Sequence, residues 1–171
     1  MAKEPDPPRP PGVPADAVLD PGGSRWRSGE LRDGLFRGLC RIWRADGTPE
    51  IERNYDEAGR LEGPYRIWHG DGSIASEGSM SAGLHADGVH VRHAPAGGSE
   101  WYPANKKVLG IIRRAELRYS RGLVVEEKYF DEAGIERSAR GKALDPAIAK
   151  REKKAKPAAQ DLLAALVKEK K

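Results

Sequence analysis

At 171 residues, with 38% hydrophobic and 6% aromatic side chains, the chain is long enough for one modest domain and too poor in large apolar groups for a deep core. Twenty glycines and thirteen prolines predict frequent turns, and the single cysteine, Cys40, excludes an internal disulfide framework. The formal charge of +4 is uneven: residues 1–30 and 31–137 each come to −1, whereas residues 138–171, with 10 basic and 4 acidic groups, come to +6. The basic character therefore belongs to the C-terminal segment and does not mark the body as a nucleic-acid binder.

Residues 1–23 open the chain. Seven of the thirteen prolines lie in residues 1–21, with interspersed charge and no periodicity, which predicts a disordered or polyproline-like arm. The PxxP spacings within it read as part of a solvated tail, with a proline-recognition ligand as the alternative. The segment lacks the apolar stretch of a signal peptide. No run in the chain approaches the ~18 apolar residues of a membrane span. The expectation is a soluble, cytoplasmic protein.

From Gly38 the sequence repeats. Gly38, Arg41, Ile42, Trp43, Asp46, Gly47 and Glu52 return as Gly63, Arg66, Ile67, Trp68, Asp71, Gly72 and Glu77, always 25 residues on. A further step of 25 reaches Gly88 and Gly97, with His93 in the tryptophan slot; the run Tyr55–Gly59 returns 75 residues later as Phe130–Gly134. This register divides residues 24–137 into units 38–62, 63–87, 88–112 and 113–137, the last two diverged, with a partial unit ahead of them.

Each unit reads as a β-hairpin. Asp46-Gly47 and Asp71-Gly72 are hairpin turns, because glycine takes a positive φ at low cost; Gly59 and Gly134 mark a second turn. Alternation puts Cys40, Ile42 and Arg44 on one face of the first strand and Leu39, Arg41 and Trp43 on the other. The Cys40 slot is filled by Tyr65, His90 and Ala115 in later units. Mixed apolar and charged residues on both faces predict a single-layer antiparallel meander. The candidate partner-binding residues are Trp43 and Trp68, their neighbours Arg41 and Arg66, and Tyr65.

The spacing Gly38-x4-Trp43-x2-Asp46-Gly47, repeated as Gly63-x4-Trp68-x2-Asp71-Gly72 and followed by Glu52 and Tyr55 or by Glu77 and Met80, resembles the bacterial MORN-repeat variant family. The likeness is specific over residues 34–97, weaker over 98–137 and absent from both ends. It implies a string of antiparallel hairpins. Many bacterial members are labelled antitoxins, so it also implies a protein-binding role, as a toxin-neutralising protein or a scaffold. No catalytic residues belong to that pattern.

Residues 138–171 read as a basic helical tail. Asp145-Pro146 is a helix start, with Asp as N-cap and Pro in the first position. Leu162, Leu163, Leu166 and Val167 form an apolar stripe that wants a surface: the chain's own sheet, a partner, an anionic membrane or a second copy. Basic groups here and at Lys106-Lys107 and Arg113-Arg114 supply the alternative function, binding to nucleic acid or an anionic membrane surface.

The remaining chemistry is thin. His90 and His93 differ by three positions, so on a strand they face opposite ways and make no metal pair. Cys40 occupies a packing slot, which is no place for a nucleophile. The residues point to no enzyme, cofactor, metal or small-molecule substrate.

Overall fold

The computed structural model describes residues 8–95 and 111–149. They form one open antiparallel sheet of 11 strands. In chain order these are β1 (Val18–Leu19), β2 (Arg25–Arg32), β3 (Leu35–Arg44), β4 (Pro49–Tyr55), β5 (Gly63–Trp68), β6 (Ile74–Ser81), β7 (Leu84–His85), β8 (Gly88–His93), β9 (Arg114–Ser120), β10 (Leu123–Phe130) and β11 (Glu136–Arg137). Each strand pairs with its neighbour in the chain, except that β7 is a short addition beside β6, which also pairs β8.

The repeat of the sequence is a repeat of the hydrogen-bond ladder. In the β3–β4 hairpin Arg41 faces Glu52, Ile42 faces Ile51 and Trp43 faces Pro49. In the β5–β6 hairpin Arg66 faces Glu77, Ile67 faces Ser76 and Trp68 faces Ile74. The register slips by one residue at the same point in both, leaving Glu50 and Ala75 as equivalent β-bulges.

The turns repeat as well. Gly47 (φ 88°) and Gly72 (φ 82°) take the left-handed position that closes a three-residue loop. The Gly47 amide donates to the Arg44 carbonyl at 3.0 Å and the Gly72 amide to that of His69 at 3.1 Å. Asp46 accepts the Thr48 amide at 2.8 Å and Asp71 the Ser73 amide at 2.9 Å. The second turn recurs at its spacing of 75: Gly59 donates to the Asp56 carbonyl at 3.0 Å and Gly134 to that of Asp131 at 3.1 Å.

Unit 88–112 departs from the two-strand expectation. Strand β8 pairs directly with β9, from Gly88 opposite Tyr119 to His93 opposite Arg114. Pro95 cannot donate to a ladder, and Ala96 stands where the turn aspartate should be. The second strand expected of this unit falls in residues 96–110, outside the described residues.

The ordered body is longer than 24–137 at both ends. Residues 8–23, expected to be part of a disordered arm, pack on the sheet instead. Val13 and Ala17 are buried against Trp26 and Trp43, and β1 pairs with β2. The prolines favour this, because a stiff segment loses little conformational entropy when it docks on an apolar surface. At the other end Ala143 is buried and bridges to Arg137. Asp145 then caps a helical turn over 146–149, accepting the Ala147 amide at 2.7 Å, with Pro146 in the first position as expected. The apolar stripe with Leu162 and Leu166 lies outside the described residues.

Candidate binding groove

Alternation along the strands gives the sheet two unlike faces. On one, Trp26 and Trp43 stand directly opposite each other on β2 and β3. The N-terminal segment covers both, burying Trp43 to 7% exposure. The Arg9 guanidinium lies 5.3 Å from the Trp26 ring centre. Pro10 closes over the first repeat turn, where a Cβ on Gly47 would lie only 2.7 Å from the Pro10 ring. The register places Trp68 on the same face as Trp43. Trp68 stays half-buried and lines a shallow groove of about 250 Å³ together with Gly12, Pro14 and Trp43. The tryptophan strip thus already has an occupant along much of its length: the chain itself.

Arg41 and Arg66 share this face. Arg41 pairs with Glu52 at 2.7 Å and Arg66 with Glu77 at 3.1 Å. Glu52 stands between the two arginines in the ladder, so charge alternates across four strands. The Arg66 guanidinium also lies 5.9 Å from the centre of the Trp68 ring.

The opposite face carries the other repeat column. Cys40, Tyr65, His90 and Ala115, equivalent at 25-residue steps, are all buried. Burial raises the Cys40 thiol pKa against the lowering influence of Arg27 and Arg53, so Cys40 packs as a small, uncharged group. Farther along, Tyr65, His85, His90 and Tyr119 form an aromatic cluster, with 4.9 Å between the His85 and His90 ring centres and 4.3 Å between His85 and Tyr119. His90 Nε2 meets the Ala86 carbonyl at 3.0 Å and is therefore the protonated nitrogen; this leaves Nδ1 to accept from the Tyr65 hydroxyl at 3.3 Å. His85 Nδ1 is buried with no hydrogen-bond partner among the described residues.

Beside this cluster lies a groove of about 450 Å³, open along one side and spanning β4 to β8. Leu61, Tyr65, Ile67, Ala75 and Met80 give it apolar walls; Arg53, Arg92, His69, His85 and His93 give it polar ones. Among the described residues no carboxylate lines it. His69 Nε2 donates to the His93 carbonyl at 2.9 Å. Burial lowers the pKa of His85, and His90 and Arg92 push it further down; burial also lowers that of His93.

Tyr65, placed among the candidates, belongs to this groove and not to the tryptophan face. Asp46, Gly47, Asp71, Gly72, Gly59 and Gly134 are turn residues as expected. Trp26 and the His85–His90–Tyr119 cluster were not singled out by the sequence. Trp26 lies off the 25-residue grid, its one signal being the alternation Arg25-Trp26-Arg27 ahead of Gly29. Among the described residues no three His, Cys, Asp or Glu side chains are grouped to hold a metal, and no helix is long and apolar enough to cross a membrane. No family model, curated protein or solved structure matches the chain.

Proposed function

We propose that this chain is a protein-binding repeat module that holds its partner in the groove beside Tyr65. The observation that carries the reading is the groove itself: an open, apolar-floored trough of about 450 Å³ on a face whose remaining repeat column is closed by packing. Specific binding sites combine such a floor with a few convergent polar groups. The Gly-x4-Trp-x2-Asp-Gly spacing supports a place beside the bacterial MORN-repeat variants, with an antitoxin or scaffold role in the cytoplasm as the concrete form. A photo-crosslinking residue at Ser76, in the groove, should give a discrete protein adduct in cells. The same residue at Arg41, on the tryptophan face, should not. An adduct from position 41 with none from position 76 would move the site to the other face and end this reading.

A second reading, contact with nucleic acid or an anionic membrane through the C-terminal segment, is supported by the +6 charge of residues 138–171. Truncation after residue 149 separates the two.

A further inference from the structure

We infer that the segment taken by the groove is acidic and aliphatic, with a carboxylate that meets Arg53. The inference rests on the groove being the binding site. Most arginines on this sheet are already matched: Arg25 with Glu50, Arg41 with Glu52, Arg66 with Glu77, Arg118 with Glu126 and Arg137 with Asp131. Arg53 is half-buried and has no ion pair among the described residues. Its partner across the ladder is Cys40, whose thiol supplies no counter-charge.

A partly buried cation costs free energy unless it is paired. Among the described residues the groove offers Arg53 nothing of opposite sign, since its other charged side chain is Arg92 and its remaining titratable groups are histidines and Tyr65. The carboxylate placed against Arg53 is that of the bound segment. Ile67, Ala75, Met80 and Leu61 present a floor that rewards aliphatic side chains over further charge. The volume suits the side chains of a short extended segment, which presents alternate residues to the sheet. The Lys-rich end of this same chain has the wrong sign to serve. Nucleic acid would match Arg53 and leave the apolar floor unused.

The test is a selection from a random dodecapeptide display library on the immobilised full chain. The counter-selection uses two groove-filled variants, Ala75→Trp and Ser76→Trp, each checked for native circular dichroism and melting. Selected peptides should combine Glu or Asp with Leu, Ile or Val. The best of them, titrated by fluorescence anisotropy, should bind Arg53→Gln about tenfold or more weakly, in keeping with the loss of a charge-assisted hydrogen bond, and Arg53→Lys less weakly. Rising salt should weaken binding to the native chain more than to Arg53→Gln. Peptides that separate native from filled groove but carry no acidic bias, unchanged affinity in Arg53→Gln, or displacement by a single-stranded oligonucleotide would each overturn the inference. If no peptide distinguishes native from filled groove, the groove reading itself falls.

Discussion

The imidazole of His90 occupies the space in which Gly78 would carry a side chain: a Cβ built on Gly78 would lie 2.2 Å from His90 Nδ1. Gly78 faces Tyr65 across the β5–β6 ladder, and the equivalent pair one unit earlier is Arg53 opposite Cys40. A large residue thus meets a small one in both units, with the sizes exchanged. Gly78→Ala should destabilise the fold by about 1–3 kcal/mol in urea denaturation, the usual cost of overpacking. His90→Ala in the same chain should recover part of the loss. Equal stability of Gly78→Ala and the native protein would contradict the packing described.

Removal of residues 1–17 uncovers Trp26 and Trp43. Tryptophan emission should shift to the red, and stability should fall by at least the ~1.5–3 kcal/mol expected for exposing one valine-sized side chain. Val13→Asp should reproduce the shift without shortening the chain. Unchanged emission in both would mean that the arm does not cover the pair in solution.

Acid should act in two stages. His85 and His93 have pKa values lowered from 6.5 by burial. The unfolded chain therefore binds more protons than the folded one just below that pH, and stability falls as pH drops through about 6.5. The carboxylates of Asp56, Asp46 and Glu50 are lowered in turn, the first two chiefly by backbone amide donors and Glu50 by its hydrogen bond from Arg25. Their contribution is present above the ordinary carboxylate range and is lost below about 4.5. Denaturation midpoints measured from pH 8 to pH 3 should show both declines. His85→Gln should weaken the first and spare the second.

The Arg41–Glu52 and Arg66–Glu77 pairs are partly exposed, and each should contribute under about 1 kcal/mol. A double-mutant cycle on Arg66 and Glu77 should give a coupling of that size, shrinking with salt. A coupling of several kcal/mol that resists salt would mean that the pair is buried in a way this sheet does not show.

Truncation after residue 149 removes most of the C-terminal positive charge. The shortened chain should keep a groove-bound partner at native affinity while losing salt-sensitive binding to nucleic acid or anionic vesicles. Loss of the groove partner from a truncation that melts like the native chain would transfer the function to the tail.

Much of this architecture was written in local sequence. Asp46-Gly47 and Asp71-Gly72 declare their turns through residue chemistry alone, and the same holds for the Asp145-Pro146 cap. The 25-residue register carried the burial of Cys40, Tyr65, His90 and Ala115 as one column. What could not be read depends on long-range partners. Ala82 and Arg121 take positive φ values of 50° and 52°, which neither residue type favours; the flanking strand pairs impose them. The proline-rich arm looked free because its composition does not reveal that Val13 and Ala17 meet a tryptophan pair. Tyr119 joins the histidines because β8 pairs directly with β9, a pairing that a regular repeat would not supply.

The near-sequential strand order also sets how the molecule comes apart. A sheet whose strands pair with chain neighbours has low contact order and is held by nearest-neighbour terms. Opening can start at either margin, where β1 and β11 contribute only two residues each, and advance inward strand by strand. Amide exchange should accordingly be graded across the sheet, slowest in β5, β6 and β8, so that the groove sits on the last part of the protein to loosen.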